Sequence, residues 1–233
     1  MTPNASSLTH HGFFITGTDT GVGKTLVACA LLHAFAARGL RVAGMKPVAA
    51  GADEKEGVLT NDDVEQLIAA SNVSAPRDAV NPYCFAPPIA PHLAAALCKK
   101  EININNLLHA YRQLSALAEV VVVEGAGGFC VPFNDTETGA DFARRLALPV
   151  VFVVGLRLGC LNHALLTAEV IRARGLMLAG WVANQIDPSL SHADAQVAAL
   201  QARLAAPLIG RIAFCAHAQA ATLASRFDLS ALQ

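Results

Sequence analysis

The stretch Gly17-Thr18-Asp19-Thr20-Gly21-Val22-Gly23-Lys24-Thr25 decides the fold of this chain. It follows a short apolar run, Phe13 to Thr16, that reads as a strand. It leads into an Ala/Leu-rich run, Lys24 to Ala37, that reads as a helix and stops at Arg38-Gly39. Strand, glycine loop and helix in that order form the setting of a phosphate cradle. Gly21 and Gly23 let the backbone turn so that successive N–H groups point inward at an anion. A helix opening at Lys24 adds the positive end of its dipole. The Lys24 ammonium can reach outer phosphates, and the Thr25 hydroxyl can ligate Mg²⁺. Gly23-Lys24-Thr25 is thus the end of a P-loop, with one departure: Thr18 stands where the first glycine is usual, and Gly17 lies one residue earlier. The rival reading is a glycine-rich turn carrying an incidental lysine, and the strand–loop–helix context argues against it.

Outward from this loop, short apolar runs alternate with longer helical ones. Val42 to Met45, Val120 to Val123, Val150 to Val154, Leu178 to Ala183 and Leu208 to Ile212 read as further strands. None alternates polar with apolar residues, so each is expected to be buried on both faces of a parallel sheet. Leu107 to Ala118, Ala140 to Leu148, Asn162 to Arg174 and Ala193 to Leu204 read as helices. The predicted class is α/β: a doubly wound, mostly parallel sheet with helices on both faces. Residues 51–91 are the least regular stretch, punctuated by Pro82, Pro87, Pro88 and Pro91, and are expected to form a long functional or mobile insertion.

Composition narrows the function classes. The chain has 233 residues, 54% of them hydrophobic and 15% charged, which excludes a disordered chain. Its formal net charge is −1, so no bulk pull toward nucleic acid or an anionic membrane is expected. The mean hydropathy of +0.43 is high. Even so, the longest apolar runs fall far short of the roughly 20 residues a membrane span needs. The apolar excess is therefore expected in a core or a subunit interface. Cys29, Cys84, Cys98, Cys130, Cys160 and Cys215 are scattered without a C-x-x-C pair, and read as reduced, mostly buried thiols of a cytoplasmic protein. The polar first dozen residues lack the apolar region of a signal peptide, and His10-His11 reads as part of a frayed terminus.

Ligands in open α/β sheets bind beyond the carboxyl ends of the strands, so charged residues there are candidates. Lys46-Pro47 ends the second strand, and the proline keeps Lys46 extended and aimed out of the sheet edge; a solvated lysine is the alternative. Glu124 ends the third strand ahead of Gly125-Ala126-Gly127-Gly128, a position suited to Mg²⁺ or to an ordinary acidic turn. Asp62 and Asp63 follow Asn61 at a helix start, where capping alone explains one of them. The fourth strand runs into Gly155-Leu156-Arg157-Leu158-Gly159-Cys160-Leu161-Asn162 and a helix whose free N–H groups could hold a carboxylate, or simply form a turn. Asn184 ends the fifth strand, and its amide can pair with the edge of an adenine.

Taken together, these residues resemble the dethiobiotin synthetase family, ATP-dependent enzymes that close the ureido ring of the biotin precursor. The resemblance runs from Phe14 to about residue 215. It rests on the quoted loop, whose extra residue is a family trait, and on Lys46-Pro47-Val48, Asn81-Pro82-Tyr83, Pro91-His92, Glu124 to Gly128, Gly159-Cys160-Leu161-Asn162-His163-Ala164 and Gly180-Trp181-Val182-Ala183-Asn184. It implies a single P-loop ATP-binding domain over residues 1–233.

The resemblance also implies roles. Gly21, Val22, Gly23, Lys24, Thr25 and Leu26 would bind ATP, with Gly125, Ala126 and Gly127 beside them. Asn184, Gln185, Ala213, Phe214 and Cys215 would surround the adenine. Thr25, Asp63 and Glu124 would hold Mg²⁺, which replaces capping as the reading of Asp63. Lys46 would be the active-site lysine, and Thr20 would meet the diamine. Ala50 stands where relatives often carry serine, leaving only backbone contact there. Gly159, Cys160, Leu161 and Asn162 would hold the substrate carboxylate across a homodimer. A proline usual near the adenine is missing from Ala213-Phe214-Cys215. The implied reaction joins 7,8-diaminononanoate, CO₂ or bicarbonate, and ATP through a carbamate and a carbamic–phosphoric anhydride. Two rivals stay open: an ATPase switch of the partitioning or metal-delivery type, and a non-catalytic nucleotide-binding scaffold.

Overall fold

The computed structural model describes residues 12–55 and 57–232. From the start of the described chain, β1 (Gly12–Gly17) leads through the glycine loop into α1 (Lys24–Ala36), followed by β2 (Val42–Met45) and β3 (Val48–Ala50). A hairpin, β4 (Asp53–Lys55) and β5 (Val58–Thr60), precedes α2 (Asp62–Ala70), α3 (Arg77–Val80), β6 (Tyr83–Phe85) and α4 (Pro91–Leu97). The second half alternates α5 (Ile104–Leu117), β7 (Val120–Glu124), α6 (Gly139–Leu146), β8 (Val150–Leu156), α7 (Cys160–Ala173), β9 (Leu178–Gln185), α8 (Ala193–Gln201), β10 (Leu208–Ile212) and α9 (Ala220–Leu223). His10 and His11 lie outside the described residues.

Six strands form one sheet in the order β10-β9-β8-β1-β7-β2, with every neighbouring pair parallel. They are the six expected ones. β1, β2, β7 and β8 are buried along their whole length, because layers cover both faces. Alternate residues of β1 show this. Phe13 and Ile15 enter one core with Leu31 and Phe35 of α1 and with Leu223 and Phe227 near the chain end. Phe14 enters the other with Val121, Val123, Leu107 of α5 and Phe142 of α6. Phe13 stacks on Phe35 at 5.5 Å, and Phe14 meets Phe142 edge-on at 6.1 Å. Each such ring contributes about 1.5–3 kcal/mol by leaving water. This is where much of the apolar excess goes. Only β10, at an edge, breaks the rule, with Arg211 exposed to solvent.

The chain leaves β1 for β2 and β7 on one side, then crosses to β8, β9 and β10 on the other. β1 therefore stands at the reversal of strand order, the place where open sheets bind ligands.

Two expectations need correction. Residues 51–91 are not an irregular insertion: they hold β4, β5, α2, α3 and β6, and β6 pairs in parallel with β3. Apart from α2, whose start at Asn61 was expected, these elements are too short for periodicity to reveal, and the segment's apolar residues Val64, Ala79, Val80 and Phe85 reach the main core. The thiols are also not mostly buried. Cys29 and Cys160 are, Cys84 is half-buried, and Cys98, Cys130 and Cys215 are exposed, because these three lie beyond the ends of helices or strands. All six are free thiols. Among the described residues no helix is long and apolar enough to cross a membrane.

Candidate active site

The glycine loop curls over the carboxyl end of β1 and hands the chain to α1. Gly21 and Gly23 have φ of 74° and 91°, conformations that side chains disfavour. Val22 between them turns inward and is fully buried. A Cβ on Gly155 of β8 would meet Val22 Cγ1 at 2.7 Å, so that glycine leaves the space Val22 fills. Asn184, at the end of β9, donates from Nδ2 to the Val22 carbonyl at 2.8 Å. The loop is thus fastened from below, and the Asn184 Oδ1 acceptor is left unengaged by this bond.

Lys24 opens α1 and is only 6% exposed. Its Nζ donates to the Asp19 carbonyl at 2.7 Å, which folds the side chain back over the loop. Burial, reinforced by the nearby Lys46 ammonium, lowers its pKa to about 8. An anion in the cradle would remove that strain on the charge.

Thr25, one residue on, lies where two carboxylates meet. Its hydroxyl is 2.8 Å from Asp63 Oδ1 and 2.9 Å from Glu124 Oε1, and its single proton serves one of them at a time. Asp63 sits in the first turn of α2. The cap of that helix is Asn61, whose side chain accepts from Asp63 N at 3.1 Å, so capping does not account for the Asp63 carboxylate. Glu124 ends β7 and is 1% exposed.

Lys46 joins the same group. Its Nζ donates to Asp63 Oδ2 at 2.7 Å and to Glu124 Oε1 at 2.6 Å. It is 5% exposed, so it is not a solvated lysine; it leaves the strand end toward the cradle, as expected, and lines the same cavity as Lys24 and Thr25. The reason is local. Lys46 N donates to the Val80 carbonyl at 2.9 Å, and the Asn81 amide donates to the Lys46 carbonyl at 2.6 Å. The later part of the 51–91 segment thus folds back to hold the backbone, and the two carboxylates draw the ammonium inward. Burial opposes the Lys46 charge, but Glu124 and Asp63 outweigh it and raise its pKa above the ordinary lysine value. Burial likewise opposes the Asp63 charge, yet Lys46 and Thr25 hold that carboxyl below its usual range. Glu124, fully enclosed and facing Asp63, is pushed upward by burial despite Lys46.

The residues fit a magnesium ion. Glu124 Oε2 is buried without a hydrogen-bond partner, and a hydroxyl and two carboxylates converge beside the cradle. Among the described residues no group of three or more His, Cys, Asp or Glu is arranged for a metal. Magnesium asks for less: one or two carboxylates, with phosphates and water completing its shell.

A cavity of about 1050 Å³ opens above these groups. It is lined by Thr20, Gly21, Gly23, Lys24, Thr25, Leu26, Lys46, Ala50, Asp63, Glu124, Ala126 and Gly127 among the expected residues. Other expected residues stand outside its lining. Val22 and Asn184 lie beneath the loop. Gly125 lies at the base of its own turn, donating to the Ile15 carbonyl at 2.9 Å. Gln185 follows Asn184, while Ala213, Phe214 and Cys215 extend from β10, whose Ile212 is the register partner of Asn184. Gly159, Cys160, Leu161 and Asn162 form the turn into α7, where the Cys160 thiol faces Gln196 Oε1 at 2.9 Å.

Sequence reasoning missed several contributors. Asn61, Gln66, Cys130 and Val131 also line the cavity. Arg157 pairs with Asp19 at 2.7 Å and ties the cradle to the β8–α7 turn. Asp19 was legible in the loop, but the carbonyl that receives Lys24 carries no sequence signal.

Comparisons with known proteins bear on the family and the fold. A family model described as an AAA domain matches residues 11–221. The chain is 52% identical over 219 residues to the ATP-dependent dethiobiotin synthetase BioD of Nitrosospira multiformis, covering 94% of this chain and 95% of that one. It is 52% identical over 217 residues to the protein of the same name from Aromatoleum aromaticum, covering 93% and 96%. Among solved structures it resembles a ParA family ATPase from Chlorobium tepidum, with TM-score 0.53, 13% identity and coverage of 90% and 86%. It also resembles the septum site-determining protein MinD of Pyrococcus horikoshii complexed with Mg-ADP, with TM-score 0.54, 15% identity and coverage of 87% and 80%. At that identity the structures speak for the fold alone, which is that of the P-loop NTPases. The sequence matches go further: the chain belongs to the ATP-dependent dethiobiotin synthetase family.

Proposed function

We propose that this protein is a dethiobiotin synthase, a cyclo-ligase that carboxylates 7,8-diaminononanoate and closes its ureido ring at the expense of ATP. The observation that carries the reading is the meeting of Lys46, Thr25, Asp63 and Glu124 at the mouth of the phosphate cradle. A switch ATPase needs the cradle and the metal ligands. A buried lysine between the metal carboxylates, on the wall of a cavity large enough for a second substrate, suits transfer of a phosphoryl group to a bound anion.

In the proposed reaction one amine of the diamine takes up CO₂ as a carbamate and releases a proton. A carbamate oxygen attacks the γ-phosphorus of ATP and ADP leaves. The second amine then attacks the carbamoyl carbon, closes the ring and expels phosphate. Such chemistry asks the protein mainly for position and charge. Lys24 and the N–H groups from Gly21 to Thr25 would hold the phosphates. Thr25, Asp63 and Glu124 would hold Mg²⁺, which when bound neutralises charge on the transferring group. Lys46 would offset the charge of the carbamate, and Thr20 would contact the diamine. The Asn184 Oδ1 acceptor suits the amino group of adenine, with Gln185 and residues 213–215 beside it.

The proposal includes a homodimer, in which the turn Gly159–Asn162 serves the partner's substrate. It is supported by Leu158 and Leu166, exposed at 89% and 55%, which flank that turn with no apolar cover of their own. A monomeric mass at working concentration would overturn this part. The whole chain would act as one ATP-binding domain in the cytoplasm.

Phosphate release tests the function. It should require both diaminononanoate and bicarbonate. Hydrolysis indifferent to both would instead indicate an ATPase switch, and no hydrolysis under any condition a binding scaffold.

A further inference from the structure

The two carboxylates expected to hold the metal are already engaged. Asp63 Oδ1 faces the Thr25 hydroxyl, and Asp63 Oδ2 receives Lys46. Glu124 Oε1 receives both Lys46 and Thr25, and only Glu124 Oε2 has no partner. We propose that Lys46 is the resident cation of this site in the nucleotide-free protein, and that a divalent ion arriving with nucleotide displaces its ammonium from Asp63 and Glu124 into the substrate cavity. This rests on the metal role given above to Thr25, Asp63 and Glu124.

Three observations support the exchange. The first is geometric: Lys46 Nζ stands within 2.7 Å of one oxygen of each carboxylate, so an ion engaging both carboxylates must share its surroundings with that ammonium. Magnesium holds its ligands at about 2.0–2.1 Å and tolerates little distortion. An ammonium on the same oxygens would stand at close range to a doubly charged ion with little water between them, and the repulsion is strong in a buried setting.

The second is the need for a placeholder. Without a cation, the buried Glu124 would face the half-buried Asp63 at the floor of the site, and a like charge beside an enclosed carboxylate is costly. Lys46 meets that need in the absence of metal. The third is mechanical. The Lys46 backbone is fixed by Val80 and Asn81, so the strand end does not have to move. The side chain lines the same cavity as Val48, Ala49 and Ala50, which gives the ammonium somewhere to swing. Binding would then be ordered: the lysine becomes available to an anionic substrate only after the metal has taken its place.

The test is metal affinity, read without turnover. Mn²⁺ binding in the presence of ADP is measured by electron spin resonance for the wild type, Lys46→Met and Lys46→Arg. Removing the competing cation should tighten Mn²⁺ on the order of tenfold in Lys46→Met, while Lys46→Arg should bind no tighter than the wild type. Wild-type or weaker affinity in Lys46→Met overturns the exchange but leaves the metal role standing. No Mn²⁺ binding by any form overturns the metal role itself, and the exchange with it. If Lys46→Met does not fold, a crystal structure of the wild type with Mg²⁺ and a non-hydrolysable ATP analogue decides. The Lys46 Nζ should lie beyond hydrogen-bond distance of Asp63 Oδ2 and Glu124 Oε1, and retention of both bonds overturns the proposal.

Discussion

Lys46 Nζ lies 2.6 Å from Glu124 Oε1, at the ends of two adjacent strands, and both side chains are almost wholly enclosed. A pair of this kind is costly to break from one side, because the remaining charge keeps its burial and loses its partner. Lys46→Met is therefore expected to destabilise the fold by about 3–5 kcal/mol. Adding Glu124→Gln should recover more than half of that loss, since the orphaned charge is gone. Urea unfolding of the two single variants and the double variant measures the coupling. Additive losses would mean that the pair does not act as a unit.

The same lysine should matter to turnover. Lys46→Ala is expected to slow the reaction at least about a hundredfold, the scale of losing one charge-stabilising donor. Phosphate release under saturating substrates is the measurement, at a temperature where the variant remains folded by circular dichroism. Turnover near the wild-type rate would remove Lys46 from the chemistry.

Gly23 and Asn184 form a second relationship open to test. A Cβ built on Gly23 would meet Asn184 Nδ2 at 2.3 Å, and the φ of 91° is itself unfavourable for alanine. Gly23→Ala should cost about 1–3 kcal/mol in backbone strain and weaken nucleotide binding at the deformed cradle. Asn184→Ala on that background removes the clash but not the φ penalty, so it should restore stability only in part. Thermal unfolding and the Kd of a fluorescent ATP analogue report the two effects separately. A Gly23→Ala protein with unchanged Kd would show that the loop accommodates a side chain.

What was legible in the sequence follows from range. Strands such as Val120 to Val123 and Val150 to Val154 are apolar throughout because both of their faces are covered, and that signal is local. The P-loop is likewise local, since Gly21, Gly23, Lys24 and Thr25 sit within five residues. The partnership of Thr25 with Asp63 and Glu124 spans 38 and 99 residues, and no spacing rule reveals it. The P-loop and the strand-end position singled out Thr25 and Glu124 one by one, and family resemblance supplied Asp63. The elements between residues 51 and 91 escaped because three-residue strands such as Tyr83–Phe85 and a four-residue helix, Arg77–Val80, carry too few positions for a period. The burial of Lys46 escaped for a related reason: a lysine before proline reads as exposed until its two carboxylates and the Val80–Asn81 clasp are in place.

A final prediction concerns the helix that anchors the loop after Glu124. Thr138 caps α6 and Asp141 completes the capping box, accepting from Thr138 N at 2.9 Å and from the Thr138 hydroxyl at 2.7 Å while pairing with Arg174. Phe142, the next residue, packs on Phe14 and Phe133, so the start of this helix fixes one end of the segment carrying Ala126 and Gly127 to the site. Desolvation opposes the Asp141 charge, but the Thr138 and Arg174 contacts outweigh it and hold its pKa below the ordinary 3.8. A carboxyl lowered on folding contributes stability that is fully present above its unfolded pKa and is lost as pH falls through its folded value. Asp141→Ala should thus cost about 1 kcal/mol at pH 7, the scale of a lost cap. The gap between variant and wild type should narrow below about pH 4, as the wild-type carboxyl takes up its proton and gives up the same contacts. Urea midpoints of both proteins from pH 7 downward measure it. A gap that stays constant with pH would assign the loss to packing and not to the charge of Asp141.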